Sequence, residues 1–313
     1  MKQPTLKQLR YLCSVADHQH FGNAARACHV SQSTLSAGVV ELEESLGASL
    51  VERNNRNVVM TSVGIEVVER ARPILVEIED LTSFCATQGK PFHGRVRLGV
   101  IPTVAPFLLP RLLQTISSKF PAFQLFIRED LSAQLLDGLF KGELDLLLLA
   151  LPFPSEQVES IALFDDEFYL ATPLHHPLCS KNPLLSDDLR GESVLLLEDG
   201  HCFRDHALEA CKLRDSQISI SYQANSLATI VQMVASGIGI TLLPRMAVES
   251  GVITNDHLNI RPFDQAGVAR QIGLMWRKKT PRRMEFRKLG DLIVDIFPTK
   301  ELATGQYCVA PPP

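Results

Sequence analysis

The chain lacks a surplus of positive charge. Its 313 residues hold 31 Lys and Arg against 35 Asp and Glu, a net charge of −4. Bulk composition therefore gives no footprint for nucleic acid, and any such claim must rest on a local motif. A long hydrophobic run is also missing. The most apolar stretch, Ile230–Leu243, is interrupted by Gln232, Ser236 and Thr241 and is too short to span a bilayer. The segment MKQPTLKQLRYL has no apolar signal core, so the expectation is a cytoplasmic protein with no membrane partner. Seven cysteines are present, and none forms a C-x-x-C pair. An odd number of thiols in a reducing compartment speaks against a structural disulfide framework; a disulfide there would be transient, and regulatory or catalytic. With 45% hydrophobic and 21% charged residues, the chain is neither disordered nor collagen-like, and its length suggests two or three domains.

What is present divides into three parts. Leu6, Leu9, Leu12 and Val15 trace a helical stripe, and a second short helix is expected from about Asn23 to His29. Ser31 is a good N-cap for a third helix, in which Leu35, Val39, Leu42 and Leu46 fall at 4-3-4 spacing. Gly47 stops that helix. Val51–Met60 then has apolar ends around the polar turn Arg53-Asn54-Asn55-Arg56-Asn57, as a small wing would. Thr61–Gln88 reads as one long helix with Val67, Val68, Ala71, Ile74, Leu75, Ile78 and Leu81 on its apolar face. Such a face calls for a partner helix on another chain. Pro73 is a candidate kink, and Gly89-Lys90-Pro91 is the domain boundary.

From Arg95 the pattern alternates. Strands are expected at Arg95–Val100, Gln124–Glu129, Leu144–Ala150, Phe168–Thr172, Val194–Leu197, Ile218–Tyr222, Ile240–Leu243 and Arg270–Trp276. Helices are expected at Pro106–Phe120, Ser132–Lys141, Ser226–Ser236 and Pro281–Phe297. This is βαβ logic around a buried parallel sheet. The tail TGQYCVAPPP is expected to be disordered.

Helix, turn, helix and wing is a DNA-reading arrangement, with the second helix of the pair in the major groove. If Leu35, Val39 and Leu42 face inward, then Gln32, Ser33, Thr34, Ser36, Ala37 and Val40 are left to face outward. Gln32 suits adenine; Ala37 and Val40 suit thymine methyls. Arg53 and Arg56 can reach phosphates or the minor groove. The plainer reading is a helical cap on an α/β protein. Residues 1–60 carry six basic against five acidic groups, a balance that adds little to the DNA reading.

The segment VLLLEDGHCFRDHALEAC, residues 194–211, runs from a strand through the turn Glu198-Asp199-Gly200 into a helix-compatible stretch. Cys202 would sit near that helix's N-terminus, where the dipole and unpaired N–H groups favour a thiolate. Arg204 adds positive charge, and His201 can give or take a proton. An accessible thiolate in that setting attacks peroxide to give sulfenic acid. If the stretch is one helix, Cys202 and Cys211 are separated by about 900° of rotation and about 13.5 Å of rise. A disulfide needs Cα atoms roughly 4.4–6.8 Å apart, so a bond between these two could form only if the helix unwound. Three other readings stay open at this point. The cysteines can be inert core residues; His201, Cys202, His206 and Cys211 can hold a metal, though without the tight pairs of structural zinc sites; or the chain can be a thiol peroxidase or disulfide oxidoreductase. Cys13, Cys28 and Cys85 fall on expected helices as small apolar groups, and Cys179 reads as an incidental surface thiol.

The stretch FGNAARACHVSQSTLSAGVVELEESLGASLVERNNRNVVMTSVG resembles the winged helix-turn-helix of LysR-type transcriptional regulators. The likeness rests on Ala24-Ala25, Ser31-Gln32, Leu35-Ser36, Leu42-Glu43, Leu46-Gly47, the Arg53 corner and the Thr61 helix start. Val40 and Glu41 stand where family members often carry basic residues, so no operator sequence is carried over. EDGHC-x-RD…C resembles the peroxide-sensing branch of the same family. So do Ile101-Pro102-Thr103-Val104, Leu108-Leu109-Pro110, Phe120-Pro121, Gln134-Leu135-Leu136 and Gly239-Ile240-Thr241-Leu242-Leu243-Pro244.

The resemblance implies an α/β chain with a winged N-terminal part. The DNA-binding domain would cover residues 1–60 and a dimerising linker helix 61–90. A two-lobed periplasmic-binding-protein-like effector domain would cover 91–313, with lobe I at about 91–165 and 270–300, lobe II at about 166–269, and the tail at 301–313. It also implies that hydrogen peroxide oxidises Cys202, that Cys211 resolves it to a disulfide, and that Thr103, Ser132, His201, Arg204, Asp205 and Arg270 form the peroxide pocket. Implied partners are double-stranded promoter DNA, RNA polymerase, a glutaredoxin or thioredoxin system, and copies of the chain itself in a tetramer. No metal or organic cofactor is implied. The alternative within the family is a regulator that binds a small metabolite between the lobes, with the cysteines idle.

Overall fold

A computed structural model describes residues 3–53, 58–87, 90–153, 155–212, 223–252 and 257–297. The chain divides into two compact units, Met1–Gly89 with Phe140–Glu143, and Lys90–Leu139 with Leu144–Pro313. Among the described residues no helix is long and apolar enough to cross a membrane.

In the first unit each helix begins where a side chain can satisfy the free N–H groups of the first turn. Helix α1 (Leu6–His18) starts with a capping box: Gln8 N–H donates to the Thr5 hydroxyl, and Thr5 N–H donates back to Gln8 Oε1. Helix α2 (Phe21–Ala27) is capped by His20, whose Nδ1 accepts from Gly22 and Asn23. That cap starts it two residues before the expected Asn23, and His29, with φ +55°, lies beyond its end. Helix α3 (Gln32–Leu46) starts at Ser31, whose Oγ accepts from Thr34 N–H at 3.1 Å. It ends at Gly47, whose φ of +65° needs a residue without a Cβ penalty. Leu35, Val39 and Leu42 are fully buried with Leu12 and Val15. Leu46 is not; at 38% exposure in the last turn, it lies past the end of the packed stripe.

Strands β1 (Val51–Arg53) and β2 (Val58–Met60) pair antiparallel as the wing. Helix α4 (Ser62–Thr87) continues unbroken through the Pro73 position. Thr61 Oγ1 accepts from Gly64 N–H and donates to the Ser49 carbonyl, fixing the start of α4 to the strand entry. Val68 and Ala71 join the core of the unit, while Ile74, Ile78 and Leu81 on the same helix are exposed.

The second unit comprises β3 (Gly94–Val100), α5 (Ala105–Lys119), β4 (Phe123–Glu129), α6 (Ser132–Phe140), β5 (Leu146–Leu151), β6 (Val158–Pro173), β7 (Val194–Leu197), α7 (Cys202–Ala210), β8 (Gln223–Ala224), α8 (Leu227–Ala235), β9 (Ile240–Pro244), α9 (Arg245–Glu249), β10 (Leu258–Pro262), β11 (Ala269–Arg277) and α10 (Arg283–Ile296). The described strands form one sheet in the order β4-β3-β5-β11-β6-β9-β7-β8, with β10 also on β6. It is mixed rather than parallel. β3 runs parallel to β4 and β5, and β7 to β9 and β8, but β11 and β6 run antiparallel to their neighbours.

The expected strand at Phe168–Thr172 is the second half of a 16-residue strand. The first half of β6 pairs with β11 and the second with β9 and β10, so this strand passes from one half of the sheet to the other. Its first half begins Val158-Glu159-Ser160-Ile161, without strict alternation, and then carries Asp165-Asp166-Glu167, a charge run that reads as loop in one dimension. The expected strand Ile218–Tyr222 and the tail lie outside the described residues.

Glu43 supplies a further link inside the first unit: one carboxylate oxygen accepts from both Leu50 N–H (2.7 Å) and Val51 N–H (3.1 Å) at the entry to the wing. Glu43→Ala leaves two donors unanswered and is expected to lower stability by about 2 kcal/mol. Glu43→Gln, which keeps the acceptor, should cost less. Thermal melts of the two variants check this; equal, negligible shifts would contradict it.

Candidate functional site

On the first unit, α2, the turn and α3 present a continuous polar edge. Gln32, Ser33, Thr34 and Ala37 are exposed, and Ser36 and Val40 are half-buried. Ser31 Oγ lies 2.9 Å from Ser33 Oγ and 2.7 Å from Thr34 Oγ1, so the cap and the first turn share one hydroxyl cluster. Arg53 ends β1; Arg56 lies outside the described residues.

The second unit holds the thiol site. Gly200, at φ +97°, makes the turn out of β7 that the expected Glu198-Asp199-Gly200 signal called for. Helix α7 then begins at Cys202 and is closed by Cys211 as its C-cap. Both thiols are free. One stands at each end of an unbroken helix, so the condition for their separation is met. Cys202 is half-buried in a narrow pocket with Ile101, Pro102, Thr103, Leu131, Ser132, His201 and Phe203. Cys211 is fully buried, and burial pushes its thiol up to about 12.

Two hydroxyls face this pocket. Thr103 is not the helix cap that its place before Pro106 would suggest; Val104 holds that position without a side-chain bond. Instead Thr103 Oγ1 accepts from Arg270 Nη1 at 2.7 Å, and its carbonyl accepts from Arg270 Nη2 at 2.9 Å. Arg has no acceptor, so the Thr103 hydroxyl keeps its own proton to donate. Ser132 is buried at the start of α6, and its Oγ has no hydrogen-bond partner among the described residues. His201, the residue before α7, is buried, and burial lowers its imidazole below the usual range while Glu198 opposes the shift. A neutral imidazole, one free hydroxyl proton and one unanswered hydroxyl can orient a small molecule with two oxygens against the Cys202 sulfur.

Arg270 stands behind this wall. Its guanidinium is fully buried, bonds Asp166 Oδ2 through Nε at 3.0 Å, and lies 5.0 Å from the Phe203 ring centroid. Asp166 is its cross-strand neighbour on β6. Two expected pocket residues sit elsewhere. Arg204 points to Asp199 (Nη1–Oδ1 2.9 Å), because two residues along a helix is about 200° of rotation. Asp205 is exposed in the first turn of α7. Among the described residues no three potential metal ligands gather.

Asp166 and Phe203 were missed from sequence. Asp166 is one of three consecutive acids, and only its pairing across 104 residues distinguishes it. The remaining cysteines differ from one another. Cys13 is buried and Cys28 half-buried as expected, Cys85 is exposed, and Cys179 is half-buried with Sγ donating to the Pro173 carbonyl at 3.3 Å. Cys308 lies outside the described residues.

The contrast between the two ends of α7 is measurable. With its thiol near 12, Cys211 is ionised in only about one molecule in ten thousand at pH 8. Iodoacetamide at that pH should modify Cys202 well before Cys211, as read by peptide mass; equal rates would contradict the burial of Cys211.

Comparison with known proteins agrees with this layout. Residues 6–65 match the bacterial regulatory helix-turn-helix family of lysR type, and residues 89–298 match the LysR substrate binding domain. A probable hydrogen peroxide-inducible genes activator from Streptomyces viridosporus is 41% identical over 92% of this chain and 93% of its own. The transcriptional regulator EstR from Acinetobacter baylyi is 40% identical over 94% and 96%. Full-length OxyR from Pseudomonas aeruginosa, solved as a cysteine-to-aspartate variant, superimposes with a TM-score of 0.77 at 38% identity, over 94% of this chain and 96% of that one. These relatives are regulators rather than enzymes, which sets the thiol peroxidase reading aside. With family models over residues 6–65 and 89–298 and relatives matched over more than nine-tenths of their length, the chain belongs to the LysR family of helix-turn-helix regulators.

Proposed function

We propose that this chain is a peroxide-responsive LysR-family regulator whose switch is the Cys202–Cys211 pair. The observation that carries the reading is the placement of Cys202 at the start of α7, in a pocket it shares with the Thr103 hydroxyl, which accepts from Arg270, and the Ser132 hydroxyl, which has no partner among the described residues. The likeness to a protein named a peroxide-inducible genes activator supports it.

In the first step the Cys202 sulfur, its proton released, attacks one peroxide oxygen. The S–O bond forms, the O–O bond breaks, and the departing hydroxide takes up a proton to leave as water. Thr103, Ser132 and His201 hold the two oxygens, and Arg270 fixes Thr103. In the second step the Cys211 sulfur attacks the sulfenic sulfur; the S–S bond forms and hydroxide again leaves as water. Cys211 is handicapped in the helix, being both buried and at the far end, so the second step requires α7 to unwind. The repacking of residues 200–220 would then alter how the effector units associate in a homo-oligomer, a tetramer in this reading. That changes the spacing on promoter DNA of Gln32, Ser33, Thr34, Ser36, Ala37, Val40, Arg53 and Arg56, and with it the access of RNA polymerase.

The division of labour is a DNA-binding part at residues 1–60, a pairing helix at 61–90, whose exposed Ile74, Ile78 and Leu81 suit a second copy, and an effector part beyond. In the cytoplasm, reset would draw two electrons from a glutaredoxin or thioredoxin dithiol. A second reading is a metabolite-responsive regulator with idle cysteines, favoured by the near-equal likeness to EstR, whose name carries no peroxide.

Full-length protein exposed to a few equivalents of peroxide, then digested and mapped by mass spectrometry, tests the proposal. It should yield a linked Cys202–Cys211 peptide together with a changed footprint on DNA, and Cys202→Ser or Cys211→Ser should abolish both. Intact thiols with an unaltered footprint would overturn it in favour of the metabolite reading.

A further inference from the structure

Phe203 follows Cys202 in the chain and carries no reactive group, yet it is the largest buried side chain of α7. Its side chain is 1% exposed. Its ring stands edge-on to Phe168 with centroids 5.3 Å apart, and the Arg270 guanidinium lies 5.0 Å from its centroid. Arg270 is itself immobilised by Asp166 and by both oxygens of Thr103, so the ring rests on a fixed cation rather than a mobile one. A desolvated cation–aromatic pair is stronger than an exposed one. Cys202 and Phe203 share the first turn of the helix. A movement of the Cys202 backbone toward Cys211 would therefore also shift the ring against both of its neighbours.

We propose that Phe203 is a positioning residue that pins Cys202 in its pocket and away from Cys211, so that its release from Arg270 and Phe168 governs the disulfide-forming step. This rests on the peroxide-switch reading above. The chemistry is unchanged: two electrons pass from each sulfur pair to one peroxide, and two waters leave. What Phe203 controls is how long the sulfenic intermediate persists before Cys211 reaches it.

The test uses the full chain and partition between two products. Protein is mixed with peroxide in the presence of a 1,3-diketone that traps sulfenic acid. Mass spectrometry then counts trapped Cys202 against the linked Cys202–Cys211 peptide. F203L removes the ring from its seat; F168L loosens the seat from behind, since Phe168 does not line the pocket. The ratio of linked to trapped product should rise roughly tenfold in F203L and in the same direction, by less, in F168L. L289A, in the core of α10, serves as a control that lowers stability elsewhere and should leave the ratio at the wild-type value. A ratio in F203L within twofold of wild type would overturn the inference, as would an equal rise in L289A. If wild type itself gives no linked peptide, the parent reading fails, and this one with it.

Discussion

A guanidinium with no exposed surface has to be answered on every side, because arginine stays charged at any pH a protein meets and cannot escape burial by losing its proton. Arg270 is answered by the Asp166 carboxylate, the Thr103 hydroxyl and carbonyl, and the face of Phe203. Burial pushes the Asp166 carboxyl up from its ordinary range while Arg270 pulls it back, and its other oxygen accepts Met246 N–H at the start of α9. Breaking such a pair by removing one partner leaves an uncompensated buried charge, which costs several kcal/mol. The pocket hydroxyl, the strand that passes between the two halves of the sheet, α9 and the first turn of α7 are therefore placed by a single cation.

Against that fixed wall stands a short helix with a thiol at each end. A helix is a spacer with a known rise, and here it keeps Cys202 half-buried in the pocket at one end and Cys211 fully buried at the other. On the proposed reading, the burial that slows Cys211 in the helical state also ties its use to the opening of α7. An enzyme that turned over peroxide would have to refold this segment in every cycle. A regulator gains from that requirement, since covalent change and conformational change become one event.

Much of this was legible in one dimension. The spacing of Leu35, Val39 and Leu42, the Ser31 cap and the Gly47 stop located α3, and the apolar run at Leu144–Ala150 located β5 to within a residue or two at its C-terminal end. Cys202 and Cys211 stood out because their segment joined a turn to a helix-compatible stretch. What escaped was long-range. The sheet is mixed because β6 and β11 run against their neighbours, and nothing local records strand direction. Asp166 looks like its neighbours Asp165 and Glu167 until Arg270, 104 residues away, selects it. Arg204 and Asp205 were placed in the pocket by the family resemblance, whereas Arg204 turns to Asp199 and Asp205 is exposed. Leu46 satisfied the periodicity but outran the core it was meant to meet.

The central claim is that joining the two sulfurs and unwinding α7 are one event. Hydrogen exchange on the full chain, followed by peptide mass before and after peroxide, measures it directly. The account predicts that amides of residues 202–211 are protected in the reduced protein and lose that protection in the oxidised protein, while β3, β5 and β11 keep theirs. Protection of 202–211 that survives in molecules already carrying the linked peptide would contradict it.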